Sequence, residues 1–89
     1  MALDPATLGA VTDVIVRTLG IEDRAATVTA STPLFGAMPE LDSLAVLDLV
    51  AHLEARFQIS IDDEDITGEV FETVGSLAEF VQQSVAAKG

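Results

Sequence analysis

Ser43, in the run Glu40-Leu41-Asp42-Ser43-Leu44, is the residue of this chain best placed to take part in chemistry. It stands where an amphipathic pattern reaching to Phe57 begins, so its hydroxyl falls in the first turn of an expected helix. Asp42 is a good N-cap there, because its carboxylate can accept the free backbone N–H groups of the next residues. The other unpaired N–H groups and the positive end of the helix dipole favour a phosphate on the Ser43 oxygen. The same hydroxyl used as a nucleophile would need a base within hydrogen-bond reach, and the single histidine is His52 on the same helix. The spacing corresponds to roughly 13.5 Å of rise and about half a turn, so the two cannot touch. A hydrolase is excluded on that ground and no catalytic residue is assigned; Ser43 reads as a site of modification, and His52 as a surface or boundary residue.

Two other kinds of chemistry are poorly supplied. The chain has no cysteine, so it can build neither a disulfide framework nor a thiolate metal site, and any thiol chemistry must use a borrowed thiol. The acidic run Asp62-Asp63-Glu64-Asp65 lacks the alternating oxygen ligands, central glycine and closing glutamate of a calcium loop. It reads as a solvated turn that favours the start of a following helix, with a smaller share for contact with a basic partner. No metal site is assigned.

Fifteen acidic residues against four basic ones give a formal net charge of -11, which argues against nucleic acid and anionic lipid as partners and for proteins with basic patches. No apolar run approaches the roughly 20 residues of a membrane span, and no basic N-terminal region precedes an apolar stretch. The expectation is one domain over residues 1–89 in the cytoplasm, with an economical core.

The elements that must position Ser43 are all helical. A first helix is announced by Asp4 as N-cap and Pro5 at the first helical position, with Leu3 and Leu8 spaced as a hydrophobic staple. Leu8, Val11, Ile15 and Leu19 recur at helical spacing, and Gly20 is the expected stop. From Ile21 to Leu41 no period is sustained, and the stretch reads as a long loop pinned by Val28, Leu34 and Phe35. The second helix carries a core stripe of Val46, Leu49, Val50, Leu53 and Phe57. A second line, Leu44, Leu47 and Ala51, is rotated toward Ser43 and can meet a partner or line a pocket. A short third helix is expected around Ile66, ending at Thr67-Gly68 or continuing to Val70 and Phe71. Thr73 caps a closing helix whose face is Leu77, Phe80, Val81 and Val85, and residues 86–89 are expected to fray.

Asp42-Ser43-Leu44 and the helix that follows, to Phe57, resemble the attachment motif and second helix of acyl carrier proteins, and the order of elements extends the likeness over nearly the whole chain. The resemblance implies a small all-α four-helix bundle, acyl-carrier-like, with three longer helices and one short one. It also implies that a phosphopantetheinyl transferase, using coenzyme A and magnesium, places a covalent 4'-phosphopantetheine on Ser43, beside the matching Asp42. An acyl group is then held as a thioester and presented to acyl-activating ligase, acyltransferase or synthase partners. Leu44 matches the apolar neighbour that partner enzymes commonly contact, and Asp48 and Glu54 match acidic positions of the recognition helix; Leu47 and Ala51 join them as expected partner-binding residues through the second apolar line, and a monomer is the family expectation.

Some residues depart from the family pattern. Glu40, after Pro39, stands where a glycine is common, and Ala45, Ala55 and Arg56 stand where acidic or polar residues are frequent. Pro39-Glu40-Leu41-Asp42-Ser43 together with the stretch from Phe71 to Leu77 is similar to stand-alone carriers found beside exopolysaccharide and protein-sorting genes in Gram-negative bacteria. A specialised acyl or lipid pathway is therefore expected, rather than general fatty acid biosynthesis. A peptidyl or polyketide carrier is the alternative within the mechanism, though a short chain with its own initiator methionine favours a free-standing protein. An unmodified acidic helical adaptor, binding through Leu44, Leu47 and Asp48, is the alternative outside it.

Overall fold

A computed structural model describes residues 3–34 and 43–88, the side chains of Ser43 and Lys88 excepted. Three α-helices carry the architecture: α1 (Pro5–Leu19), α2 (Ser43–Phe57) and α3 (Val74–Lys88). Among the described residues there is no strand, only an isolated antiparallel bridge between Pro33 and Thr73.

Helix α1 begins as its sequence requires. Asp4 is extended and its Oδ1 accepts from the Ala6 N–H at 2.9 Å, while Pro5 gives up an N–H that would have had no partner. The helix ends at Gly20, whose φ of 70° lies in the left-handed region that glycine enters without strain. The Ile21 N–H then closes back on the Val16 carbonyl at 2.8 Å. Leu3, Leu8 and Leu19 pack partly buried against a core to which α1 contributes Val11, Val14 and Ile15.

Helix α1 packs against both α2 and α3. From α2 the core takes Val46, Leu49, Val50 and Leu53, with Phe57 half-buried at its edge; from α3 it takes Val74, Leu77, Ala78 and Val81. Phe71 is the largest fully buried side chain among the described residues. The expected stripe on α3 is correct at Leu77 and Val81, with Phe80 half-buried against the core, but Val85 is 39% exposed.

Two expectations about the connections are corrected. The stretch after α1 is not all loop, because Glu22–Thr27 form a 3-10 helix. Two acids in its first turn and the pair Ala25-Ala26 favour local helix in a segment too short to show a period. The short third helix is a single 3-10 turn at Asp63–Asp65 that stops before Ile66 rather than centring on it. Asp65 Oδ2 accepts from the Asp62 N–H at 3.3 Å, which closes the turn on itself. Ile66 then leaves helical geometry at φ -85° and ψ 79°. Residues 68–71 continue as turns, with the Phe71 N–H reaching the Thr67 carbonyl at 3.1 Å.

The long connection is pinned where it meets α3. The Leu34 N–H donates to the Glu72 carbonyl at 3.0 Å, the Val74 N–H to Thr32 at 2.9 Å and the Gly75 N–H to Ala30 at 2.8 Å. Leu34 is fully buried and Val28 half-buried, as expected of pins; Phe35 lies outside the described residues. At this junction Thr73 caps α3 reciprocally with Ser76. The Ser76 N–H donates to Thr73 Oγ1 and the Thr73 N–H to Ser76 Oγ, each at 3.0 Å.

Candidate functional site

Helix α2 sorts its residues by face as an amphipathic helix should. Its inner face is fixed by Leu49 and Leu53, both fully buried, so the opposite face is held rigidly toward solvent. On that outer face Leu44 is 74% exposed and Leu47 58%, and Asp48 and Ala51 are exposed beside them. Leucines left this open on a small domain are unusual neighbours, and they lie within the first turn and a half after Ser43. Ser43 is the first residue of α2. Asp42, the expected cap, lies outside the described residues, as do Pro39, Glu40 and Leu41.

Glu54 is differently placed from the other expected partner-facing residues. It is half-buried, and its Oε2 accepts from the Ile61 N–H at 2.8 Å, while its own carbonyl accepts from Ile59 at 3.3 Å. The carboxylate thus braces the link that leaves α2. That second task had no signal in the sequence, because the acceptor and donor are brought together only by the reversal at Gln58, whose φ is 56°. The Gln58 side-chain amide donates to the Ala55 carbonyl at 2.7 Å, which stabilises a turn that usually calls for glycine.

His52 lies on α2 as expected, exposed, with Nδ1 2.8 Å from Thr18 Oγ1 of α1. It ties two helices together, far along α2 from the residue a nucleophile–base pair would require. Among the described residues no group of three or more His, Cys, Asp or Glu side chains is placed to hold a metal ion. No described helix is long and apolar enough to cross a membrane.

Comparison with known proteins agrees with this geometry. Residues 9–81 match the family described as a phosphopantetheine attachment site, a stretch that includes all of α2 and most of the core. The chain is also similar to the holo acyl carrier protein of Nitrosomonas europaea, determined in solution by NMR. The two are 43% identical over 89% of this chain and 95% of that one, with a TM-score of 0.82.

The prosthetic group these likenesses bring is a covalently attached 4'-phosphopantetheine. The residues present fit it. The helix start at Ser43 offers N–H groups to a phosphodiester. The adjacent turn, with Leu44 three-quarters exposed, leaves open space for a long arm and for the enzyme that attaches it. By its matched family, its helical architecture and the open first turn of α2, the chain belongs to the acyl carrier protein family and serves as an acyl carrier.

Proposed function

We propose that the phosphopantetheine arm is attached through the Ser43 hydroxyl, with Asp42 capping the helix beside it, and that the loaded chain serves a specialised acyl or lipid pathway. The observation that carries this reading is the place of Ser43 as first residue of α2, directly before a leucine that is 74% exposed. In the loading step Ser43 Oγ attacks the phosphorus of coenzyme A that bears the pantetheine. The pyrophosphate P–O bond breaks, adenosine 3',5'-bisphosphate leaves, and the serine proton passes to a base on the magnesium-dependent phosphopantetheinyl transferase. Once attached, the arm supplies the thiol on which an acyl group is held as a thioester.

This chain's own residues bind and present rather than catalyse. The N–H groups at the start of α2 would hold the phosphodiester, whose charge the helix dipole favours there. Leu44, Leu47 and Ala51 offer a partner an apolar stripe, and Asp48 adds one exposed charge to it. Glu54 joins this surface at its edge, where its carboxylate also braces Ile61. The partners implied are acyl-activating ligases, acyltransferases or synthases with basic patches, meeting a cytoplasmic, monomeric carrier in which residues 1–89 form a single domain.

The test is the intact mass after incubation with coenzyme A, magnesium and a broad-specificity phosphopantetheinyl transferase. A single phosphopantetheine increment is expected on the wild type and none on Ser43→Ala, which should keep its fold. An increment on the folded variant would remove Ser43 from the assignment. A wild type that stays unmodified even with a transferase from its own source would favour the unmodified adaptor.

A further inference from the structure

The exposed face of α2 reverses its charge along its length. Leu44, Asp48, His52 and Arg56 follow one another at four-residue spacing and make one row along the helix, apolar and acidic near Ser43 and basic at the far end. At that far end a groove of about 370 Å³ opens between α1 and α2, lined by Asp13, Val14, Arg17, Thr18, His52 and Arg56. The whole chain has only four lysines and arginines and one histidine, and three of these five groups stand here, on a molecule of net charge -11. Arg17 is held by Asp13, Nε to Oδ1 at 3.1 Å, yet its side chain is 72% exposed. The Arg56 guanidinium lies 5.3 Å from the centre of the Phe57 ring, and His52 is fixed by Thr18. The two arginines and the imidazole are therefore positioned by neighbours rather than left to wander.

From this arrangement, and resting on the carrier reading above, we infer that the α1–α2 groove docks a carboxylate-bearing segment of a partner protein, whose apolar surface meets Leu44 and Leu47 at the same time. Charge complementarity selects the occupant. A partner whose basic patch runs the full length of α2 would set its own cations against Arg17 and Arg56, and like charges in contact cost far more than a rim pair gains. A partner with an acidic segment at the far end finds two exposed arginines in one recess of an acidic molecule. The groove thus acts as a specificity element, separating this carrier's enzymes from those that read a uniformly acidic helix.

The test uses the unloaded chain and a tetraglutamate peptide as probe, followed by amide NMR at low salt. It is independent of Ser43 and of the arm, so its failure leaves the loading assay untouched, and failure of loading leaves this test intact. Saturable shifts confined to the amides of Thr18, His52, Arg56 and their neighbours are expected. Arg17→Glu with Arg56→Glu should weaken the dissociation constant at least about tenfold. Arg24→Glu, outside the groove, should change it little. Both groove arginines are exposed, so the double variant should fold, and its amide spectrum outside the groove checks that. Tetraglutamate that leaves these amides unmoved, or that moves the Arg17/Arg56 variant as much as the wild type, would overturn the inference. Inorganic phosphate binding the same amides more tightly than the peptide would also overturn it, assigning the groove to a small oxyanion.

Discussion

Gly75→Ala sets two opposing effects against each other at one position. Gly75 is the second residue of α3, where alanine has the better helix propensity by up to about 1 kcal/mol. A Cβ built there would lie 2.8 Å from the Ala30 carbonyl oxygen and 3.2 Å from the Ala30 Cβ. The nearest atom is backbone, and it is also the acceptor of the Gly75 N–H, so the clash cannot be relieved without opening that hydrogen bond. Overpacking of this kind costs about 1–3 kcal/mol. Weakening the Ala30 bond, with strain on its neighbours at Thr32 and Leu34, adds about 0.5–1.5 kcal/mol. The net expectation is a loss of about 0.5–3.5 kcal/mol after the full propensity gain is subtracted. Gly9→Ala supplies the internal control. Gly9 is exposed inside α1 and a Cβ there meets nothing within 4 Å, so this variant should gain about 0.5–1 kcal/mol. Urea unfolding of the two variants and the wild type reads both effects as midpoint shifts at constant slope. A Gly75→Ala midpoint at or above that of the wild type would refute the reasoning, because it would mean that the loop yields to the side chain without loss.

Other perturbations probe the core and the outer edge of α2. Leu53→Ala should cost about 2–5 kcal/mol, since the side chain is fully buried between the helices; an unshifted thermal midpoint would show the faces of α2 reversed. Glu54→Ala leaves the part-buried Ile61 N–H without its acceptor and should cost about 1–3 kcal/mol, whereas Glu54→Gln keeps an oxygen there and should lose clearly less. Equal losses for the two in urea unfolding would show that the carboxylate's charge, not its hydrogen bond, is what the link uses.

Much of this organisation was legible because it is local. Asp4, Pro5 and Gly20 bound α1 through backbone chemistry that any chain would obey, and the apolar stripe from Val46 to Leu53 records the inner face of α2 directly. The same periodicity leaves Leu44, Leu47 and Ala51 outside, as the structure has them. What was hidden depends on residues far apart in the chain. Val14 is buried although it falls off the expected α1 stripe, because α1 packs against two helices and needs a wider apolar face than one. The bracing role of Glu54 and the basic groove follow from the return at Gln58 and the pairing of Thr18 with His52, neither of which has a local signature. The short helix lies upstream of Ile66 because Asp62 and Asp65 close the acidic turn on itself, a reciprocal contact that the apolar Ile66 signal masks in the sequence.

The bridge between residues 30–34 and 72–75 also has a kinetic meaning. It joins Pro33 to Thr73, so the whole of α2, with Ser43 at its head, lies inside a closed loop of chain. Closing a loop of that length costs roughly 3 kcal/mol in chain entropy beyond a constant, and three backbone hydrogen bonds are a poor return before the helices have gathered around Phe71. The bridge is therefore expected to close late, after the folding barrier. Gly75→Ala should accordingly speed unfolding while leaving the folding limb of the chevron almost unchanged, and a slowed folding limb would place the closure in the nucleus instead. A bridge that closes after the barrier would tie the lifetime of the folded state to a junction remote from the face that α2 offers to its partners.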